Sequence, residues 1–277
     1  MNLTVKAAVG VALFGAASMS AFATSITPPA SGPVPVPGTV PGGVIVEAWD
    51  ATTGTSLTEW LGGDISTFGT PAATPAGGET LDYGVLGGSS TWTSVFTAAE
   101  IAAGNVSFTV SAANDVTPSA AIVDATLSQI GTIRNSAVNA IGSAQNTGIP
   151  AVLNAATGCN NANPCVALTT TAPGYAVTYF GNTLGGLATG NSAAGVVGGS
   201  SVGFYQLTAT GGSAIGLVTP VAFGNTTGPA TWSLSASGDL VYTVPGSTAV
   251  PLPAAIWLLG SGLLGLAGVG RRKTLAV

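Results

Sequence analysis

The sequence predicts a mainly β protein whose principal domain is an antiparallel β-sandwich with a small helical insert. Runs of β-branched and aromatic residues alternate with small polar residues, as in 106–110 (VSFTV), which is typical of a half-buried strand. Residues 232–244 (WSLSASGDLVYTV) contain two alternating runs joined by Ser-Gly-Asp, a pattern that indicates a hairpin. The chain also has 41 glycines and 17 prolines in 277 residues, which favours short strands separated by many turns.

The first 23 residues have the pattern of a secretory signal peptide. Lys6 is followed by an apolar run over 7–17, and then by Ala21-Phe22-Ala23. A basic start, an apolar middle and an A-x-A site are the three parts of such a signal. We therefore expect a signal helix in 1–23 that engages the Sec translocon and that signal peptidase removes after Ala23. The apolar run is too short to span a bilayer comfortably as a permanent anchor.

Residues 24–43 are rich in Pro and Gly and predict an extended linker. A β-rich extracellular domain is expected over 44–249. Within it, 44–49 (VIVEAW), 91–96 (TWTSVF), 106–110 and 202–210 (VGFYQLTAT) have strand character. The segment between the second and third of these, FTAAEIAAG, predicts a single helical turn.

A helical insert is predicted at about 118–156. Thr117-Pro118 suits a helix start, because threonine caps well and proline is tolerated at the first helical position. The apolar residues that follow approximate helical spacing; they are Ile122, Val123, Leu127, Ile130, Val138 and Ile141. The spacing predicts one or two short helices between 119 and 145, with another turn near 151–156.

The last part of the chain, 250–277, combines three features in a fixed order. It begins with a Pro-x-Pro motif made of Val250, Pro251, Leu252, Pro253 and Ala254. Residues 254–270 then carry no charge and predict a transmembrane helix of about 25 Å at ~1.5 Å per residue. Arg271, Arg272 and Lys273 follow, and the positive-inside rule keeps such residues on the cytoplasmic side. The prolines keep the motif extended and accessible to a processing enzyme.

This tail resembles the PEP-CTERM sorting signal in its VPLPA variant, a signal found in exported proteins of Gram-negative bacteria that make exopolysaccharide. The resemblance covers about the last 25 residues, including the GSGLLGL pattern of the apolar segment. It implies an exosortase, a membrane-embedded transpeptidase-like enzyme, as the partner that reads the tail and cleaves near the motif. It also implies a precursor anchored in the inner membrane that later reaches the cell surface or extracellular matrix. The alternative is a permanent anchor with no processing.

Charge and composition exclude several functional classes. Outside the two ends, Arg134 is the one basic residue against ten acidic ones, which gives a formal charge of −9. The absence of a basic patch predicts that the chain has no nucleic-acid partner. The chain also contains no histidine, which removes histidine-dependent catalysis, histidine metal sites and histidine pH switches.

Cys159 and Cys165 are the two cysteines of the chain, in CNNANPC. A disulfide is the expectation for an exported protein. A redox or metal role is the alternative, but the spacing is not Cys-x-x-Cys and further ligands are lacking nearby. We expect no metal and no cofactor.

Carboxylates are the remaining candidates for catalysis. Glu47, Asp50, Glu59 and Asp64 are close in sequence, and Glu79 and Asp82 form a second group. A glycosidase needs two carboxylates across a cleft, and this pattern fixes no such geometry. We therefore expect a non-enzymatic surface or matrix protein with a structural role in biofilm or exopolysaccharide. The alternative is a carbohydrate-binding or carbohydrate-active module that acts on the same polysaccharide. Buried tryptophans and scattered acids would favour the first, and exposed aromatic residues or paired acids the second.

Overall fold

The computed structural model describes residues 43–62, 68, 71, 78–113, 121–128, 130, 132–143, 165–169, 194–210, 216–225 and 227–246. The predicted signal peptide, the linker up to residue 42 and the sorting tail lie outside these residues. The helices are α1 (Ser89–Val95), α2 (Ala98–Ala102) and α3 (Asn135–Ser143). The strands are β1 (Val44–Asp50), β2 (Thr55–Gly62), β3 (Thr80–Val85), β4 (Val106–Ala113), β5 (Ile122–Leu127), β6 (Ile133–Arg134), β7 (Cys165–Ala167), β8 (Gly195–Val196), β9 (Val202–Thr208), β10 (Leu217–Val218), β11 (Val221–Ala222), β12 (Gly224–Asn225), β13 (Gly228–Pro229), β14 (Thr231–Leu234) and β15 (Asp239–Thr243).

The predicted mainly β, antiparallel architecture is confirmed. One large sheet has the order β3-β15-β14-β9-β5-β4-β1-β2-β7, with β11 paired to β9 and β8 paired to β4. The sheet curls, and the remaining short strands form the ribbons β6–β10 and β12–β13. The prediction of a sandwich is refined accordingly: in the described residues the long strands belong to one curled sheet with a core on each face.

Two core clusters lie on opposite faces of this sheet. The first cluster contains Val46, Val110, Phe204, Trp232 and Tyr242 among others. Its centre is aromatic: the ring of Phe68 lies 5.2 Å from that of Phe204 and 5.5 Å from that of Trp232, in edge-on geometry. Such contacts stabilise a core beyond the area they bury.

The second cluster lies on the other face, where α3 contributes Val138 and Ile141. Alternation along the strands assigns each side chain to a face. In β5, Val123, Ala125 and Leu127 point to the second cluster. Consequently the sheet is buried on both sides over its central strands.

The helical insert predicted over 118–156 is wrong in its first half. Residues Ile122–Leu127 form β5, a central strand that pairs with β4 and β9. Of the apolar residues that approximated helical spacing, Ile122, Val123 and Leu127 belong to this strand. Both faces of the strand are covered, so apolar residues occur on each face and can imitate the spacing of a helix. The helix does form later, as α3 over Asn135–Ser143. The predicted turn at 151–156 lies outside the described residues.

The segment 91–96, predicted as a strand, is instead helical. It lies in α1, where Trp92 and Val95 are buried on one side. Burial of these side chains outweighs the strand propensity of the Thr and Val residues. The next prediction is confirmed: α2 is a short helix, and Thr97 and Glu100 form a capping box at its start.

The predicted C-terminal hairpin is also confirmed. Trp232 pairs with Tyr242 and Leu234 with Leu240 across β14 and β15. The turn contains Gly238 at a φ of +92°, a conformation that favours glycine.

Candidate functional site

An open groove of about 760 Å³ lies at one end of the central strands. We call it the Tyr205 groove. It is lined by Leu127, Ser128, Ala194, Gly195, Val196, Gly199, Ser200, Ser201, Val202, Gly203, Tyr205, Pro229 and Thr231. Its volume is within the usual range for small-molecule sites.

The floor of the groove is formed by three neighbouring strands in register. Gly203 of β9 lies opposite Leu127 of β5 on one side and Thr231 of β14 on the other. Paired residues point to the same face of a sheet. The floor therefore lies on the face of the second cluster, and residues 194–201 form one wall.

Tyr205 is held flat over the floor by the absence of a side chain at Gly203. A Cβ at position 203 would lie 2.6 Å from Cε2 and 2.8 Å from the phenolic oxygen of Tyr205. The two residues are two positions apart on one strand and share a face. The ring also packs against the second cluster, and partial burial raises the pKa of its phenol.

The groove lining described above contains no Asp, Glu, Lys or Arg. Its polar groups are serine and threonine hydroxyls, the tyrosine phenol and backbone groups. Hydroxyls both donate and accept hydrogen bonds, but none here has a neighbouring base among the lining residues. The described lining therefore offers neutral hydrogen-bonding groups and apolar surface.

Two carboxylates of the first group, Glu47 and Glu59, point to opposite faces of the sheet. Glu47 lies opposite Thr58 and Thr109 on the face of the second cluster. Glu59 lies opposite Val46 and therefore points to the other face. Burial raises the pKa of Glu47 well above its usual value, and the neighbouring Thr58 side chain lowers it by less.

Three other acids hold turns. Asp50 accepts a hydrogen bond from the backbone N–H of Thr52 at 2.6 Å, and Asp82 accepts one from Gly84 at 2.8 Å. Asp239 accepts hydrogen bonds from Ser237 and Ser235, which lower the pKa of its carboxyl. These are the roles typical of Asp at turns. Asp64 lies outside the described residues.

A different set of buried polar groups lies within the first cluster. Asp124 accepts a hydrogen bond from the Nε2 of Gln206 at 3.1 Å through one oxygen, and its other oxygen has no hydrogen-bond partner among the described residues. Within the same described part of the chain, the hydroxyls of Tyr83 and Tyr242 and the indole N–H of Trp232 are also buried without a partner. Burial raises the pKa of Asp124 to about 8.

The four described tryptophans divide into two groups. Trp92 and Trp232 are buried in the core, as the structural hypothesis requires. Trp49 and Trp60 are half-buried on neighbouring strands. Because Trp49 lies opposite Ser56 and Trp60 opposite Ile45, the two rings project from positions four residues apart along the sheet and form no adjacent pair.

Most sequence-predicted site residues lie outside the described residues. This applies to Ala21, Ala23 and Cys159, to the motif 250–254 and to the basic residues 271–273. Cys165 is described: it is buried in β7 and lies opposite Thr58. Its predicted disulfide with Cys159 stays a prediction.

Two searches for other kinds of site gave negative results within the described ranges. No helix there has the length and apolar character needed to cross a bilayer, and the predicted membrane segment 254–270 is not part of them. Those same ranges contain no group of three or more metal-binding side chains.

The fold and site thus define a mainly β protein with an uncharged, open groove. No family model, curated protein or solved structure matches the chain. Sequence reasoning did not find the groove, because its residues come from segments far apart in the chain. The local signal was Gly203 two positions before Tyr205, which places a glycine and an aromatic ring on one face of a strand.

Proposed function

We propose that the chain is an exported, exosortase-processed protein with a structural role in the cell surface or extracellular matrix. The observation that carries this proposal is the order of the tail: Val250 to Ala254, an uncharged helix-length segment, and Arg271 to Lys273. Each part has a physical task in sorting: the extended motif is cleaved, the apolar segment holds the precursor in lipid, and the cations fix its orientation.

The described domain is consistent with a non-enzymatic role. Among its described acids, Asp50 and Asp82 accept hydrogen bonds in turns, and Glu47 and Glu59 point to opposite faces. Its solvation depends on Ser, Thr, Asn and Gly because charge is scarce. A matrix component needs stable folding and display at the surface and does not need an acid–base pair.

The experiment compares sorting of the wild-type chain with that of a double variant, Pro251→Ala and Pro253→Ala. Both are expressed in an exopolysaccharide-producing Gram-negative host that has an exosortase. Intact mass and cell fractionation should show that the wild-type protein leaves the inner membrane without residues 254–277. The double variant should remain in the inner membrane at full length after signal cleavage.

The chain offers a matched control for this variant. Pro35 and Pro37 form a second Pro-x-Pro pair, in the linker, and their replacement by alanine should leave sorting unchanged. Wild-type protein recovered from the surface with Trp257 and Val277 still attached would contradict the processing step.

A second candidate function is a carbohydrate-binding module for the same polysaccharide. The observation that favours it is the Tyr205 groove, which is open, uncharged and lined by hydroxyls. The carbohydrate-active form of this alternative lacks support, because the groove lining contains no carboxylate to act as acid, base or nucleophile.

A further inference from the structure

We propose that the Tyr205 groove binds an uncharged polysaccharide and that a sugar ring stacks on the face of Tyr205. This inference rests on the second candidate function and names its site and ligand class. Four features of the groove support this inference: the position of the Tyr205 ring, the hydroxyl lining, the lack of charge and the open shape.

The ring of Tyr205 is preorganised as a platform. Part of the side chain packs against the second cluster, while the ring extends over Gly203 into the groove. A ring fixed by packing loses little conformational freedom when a ligand binds. The apolar C–H face of a sugar ring suits such a flat aromatic surface, and the phenol supplies a polar group at its end.

The hydroxyl lining matches the chemistry of a sugar. Ser200 and Ser201 are exposed at the groove, and Thr231 is half-buried on its floor. Serine and threonine hydroxyls donate and accept, as sugar hydroxyls do. The lining therefore offers hydrogen bonds on both sides of a stacked ring without demanding a charged partner.

The lack of basic side chains in the lining and the negative charge of the domain favour an uncharged ligand over an acidic one. The lining described contains no Lys or Arg to pair with a uronate, sulfate or phosphate. The domain between the processed ends has a formal charge of −9, which repels polyanions at low ionic strength. An open groove also admits a chain that continues at both ends, which an enclosed pocket does not.

The test is affinity electrophoresis of the full chain, solubilised in mild detergent, through gels that contain one glycan each. The neutral glycans are a mixed-linkage β-glucan, a galactomannan and dextran, and the anionic one is alginate. Wild-type protein should be retarded by at least one neutral glycan and should pass unretarded through alginate. Tyr205→Ala should weaken the retarding interaction about tenfold, as loss of a central aromatic contact does.

Two further variants separate stacking from folding. Gly203→Ala keeps the tyrosine but places a Cβ 2.6 Å from Cε2, near the far end of that side chain, so the ring must swing away and binding should fall as in Tyr205→Ala. Tyr205→Phe keeps the stacking face and should retain binding. Leu217→Ala, an exposed apolar residue outside the groove lining, is the matched control and should bind like wild type.

The outcomes distinguish this inference from the function on which it rests. Retardation by alginate alone, or neutral-glycan binding that Tyr205→Ala leaves intact, overturns the assignment of site and ligand but leaves carbohydrate binding standing. Failure of every glycan to retard the wild-type chain overturns both. Self-association that depends on Tyr205, measured by sedimentation without glycan, also overturns the inference, because the groove would then receive a second copy of the chain.

Discussion

Asp124 is an acid whose protonation departs clearly from its usual behaviour. It is fully buried in a central strand, and its carboxyl has a pKa of about 8 because burial disfavours the charged form more than the Gln206 hydrogen bond favours it. The native state therefore keeps this proton over a range in which the unfolded chain has lost it. Burial on the opposite face raises the pKa of Glu47 in the same direction.

This difference makes stability depend on pH with a definite sign. Between about pH 4 and pH 8 the unfolded state binds fewer protons at Asp124 than the native state, so the free energy of unfolding falls as pH rises. One such group contributes a slope of about 1.4 kcal/mol per pH unit. Below pH 4 both states hold the proton, and above pH 8 both have lost it, so the slope from this group vanishes at each end.

We predict that Asp124→Asn removes the contribution of one titrating group, about 1.4 kcal/mol per pH unit, from the pH dependence of the free energy of unfolding. Asparagine keeps the shape and remains neutral throughout, so the free energy of unfolding should fall less steeply between pH 5 and pH 7.5. Urea unfolding at several pH values measures this change in the pH dependence of stability. Glu47→Gln should flatten the curve in the same direction, because burial also raises the pKa of Glu47. An Asp124→Asn curve parallel to wild type would refute the assignment.

At the level of the elements, the turn of the β14–β15 hairpin packs closely against α1. The turn residue Gly238 lies against the indole of Trp92, where an added Cβ would be 2.6 Å from Cδ2 and 2.7 Å from Cγ. The same indole donates a hydrogen bond from Nε1 to the carbonyl of Ala236 at 3.1 Å. The turn and α1 therefore fix each other's position.

Gly238→Ala should destabilise the fold more than Gly84→Ala. Gly84 also has a positive φ, of +75°, but a Cβ there would meet nothing within 4 Å. Gly84→Ala thus reports backbone strain alone, about 1–2 kcal/mol, while Gly238→Ala adds overpacking of about 1–3 kcal/mol. Denaturant unfolding of both variants measures the difference between their losses in free energy of unfolding. Equal losses would mean that the indole moves aside without cost.

The edge strand β7 contains Cys165, and its predicted partner Cys159 closes a loop of seven residues. Such a link restricts the unfolded chain and should contribute about 2 kcal/mol. Alkylation of the denatured exported protein should label neither thiol before reduction and both after it. Cys159→Ser and Cys165→Ser should each lower the free energy of unfolding by about that amount. Two thiols that alkylate without reduction would exclude the disulfide.

Elements with clear alternation were predictable from sequence, and elements defined by tertiary contacts were not. Val106, Phe108 and Val110 alternate with small polar residues, and β4 forms there. By contrast, β5 carries Asp124 and Thr126 toward one core and Val123 and Ala125 toward the other. Its apolar residues Ile122, Val123 and Leu127 also approximate helical spacing, so the local pattern did not distinguish a strand from a helix. The groove could not be predicted from the sequence for a related reason. It depends on the register between β5, β9 and β14, and no local pattern encodes that register.

For the whole molecule, the two clusters lie on opposite faces of shared strands. Ile45 points to the second cluster, and its neighbour on β1, Val46, points to the first. On β2, Leu57 belongs to the first cluster and lies opposite Ala48 of β1. Neither core can be lost while the other keeps its strands paired, so we expect the described domain to unfold as one cooperative unit.

Ile45→Ala and Leu57→Ala test this expectation from opposite faces. Each removes a fully buried side chain and should cost about 2–5 kcal/mol, which lowers the melting temperature by roughly 2–4 °C per kcal/mol in a domain of this size. Calorimetry should show one transition in both variants, shifted as a whole. Val166→Ala, at a partly exposed position on β7, should shift it far less. A variant whose trace splits into two transitions would show that the two faces unfold separately, because the damaged core would then melt while the strands of the other remained paired.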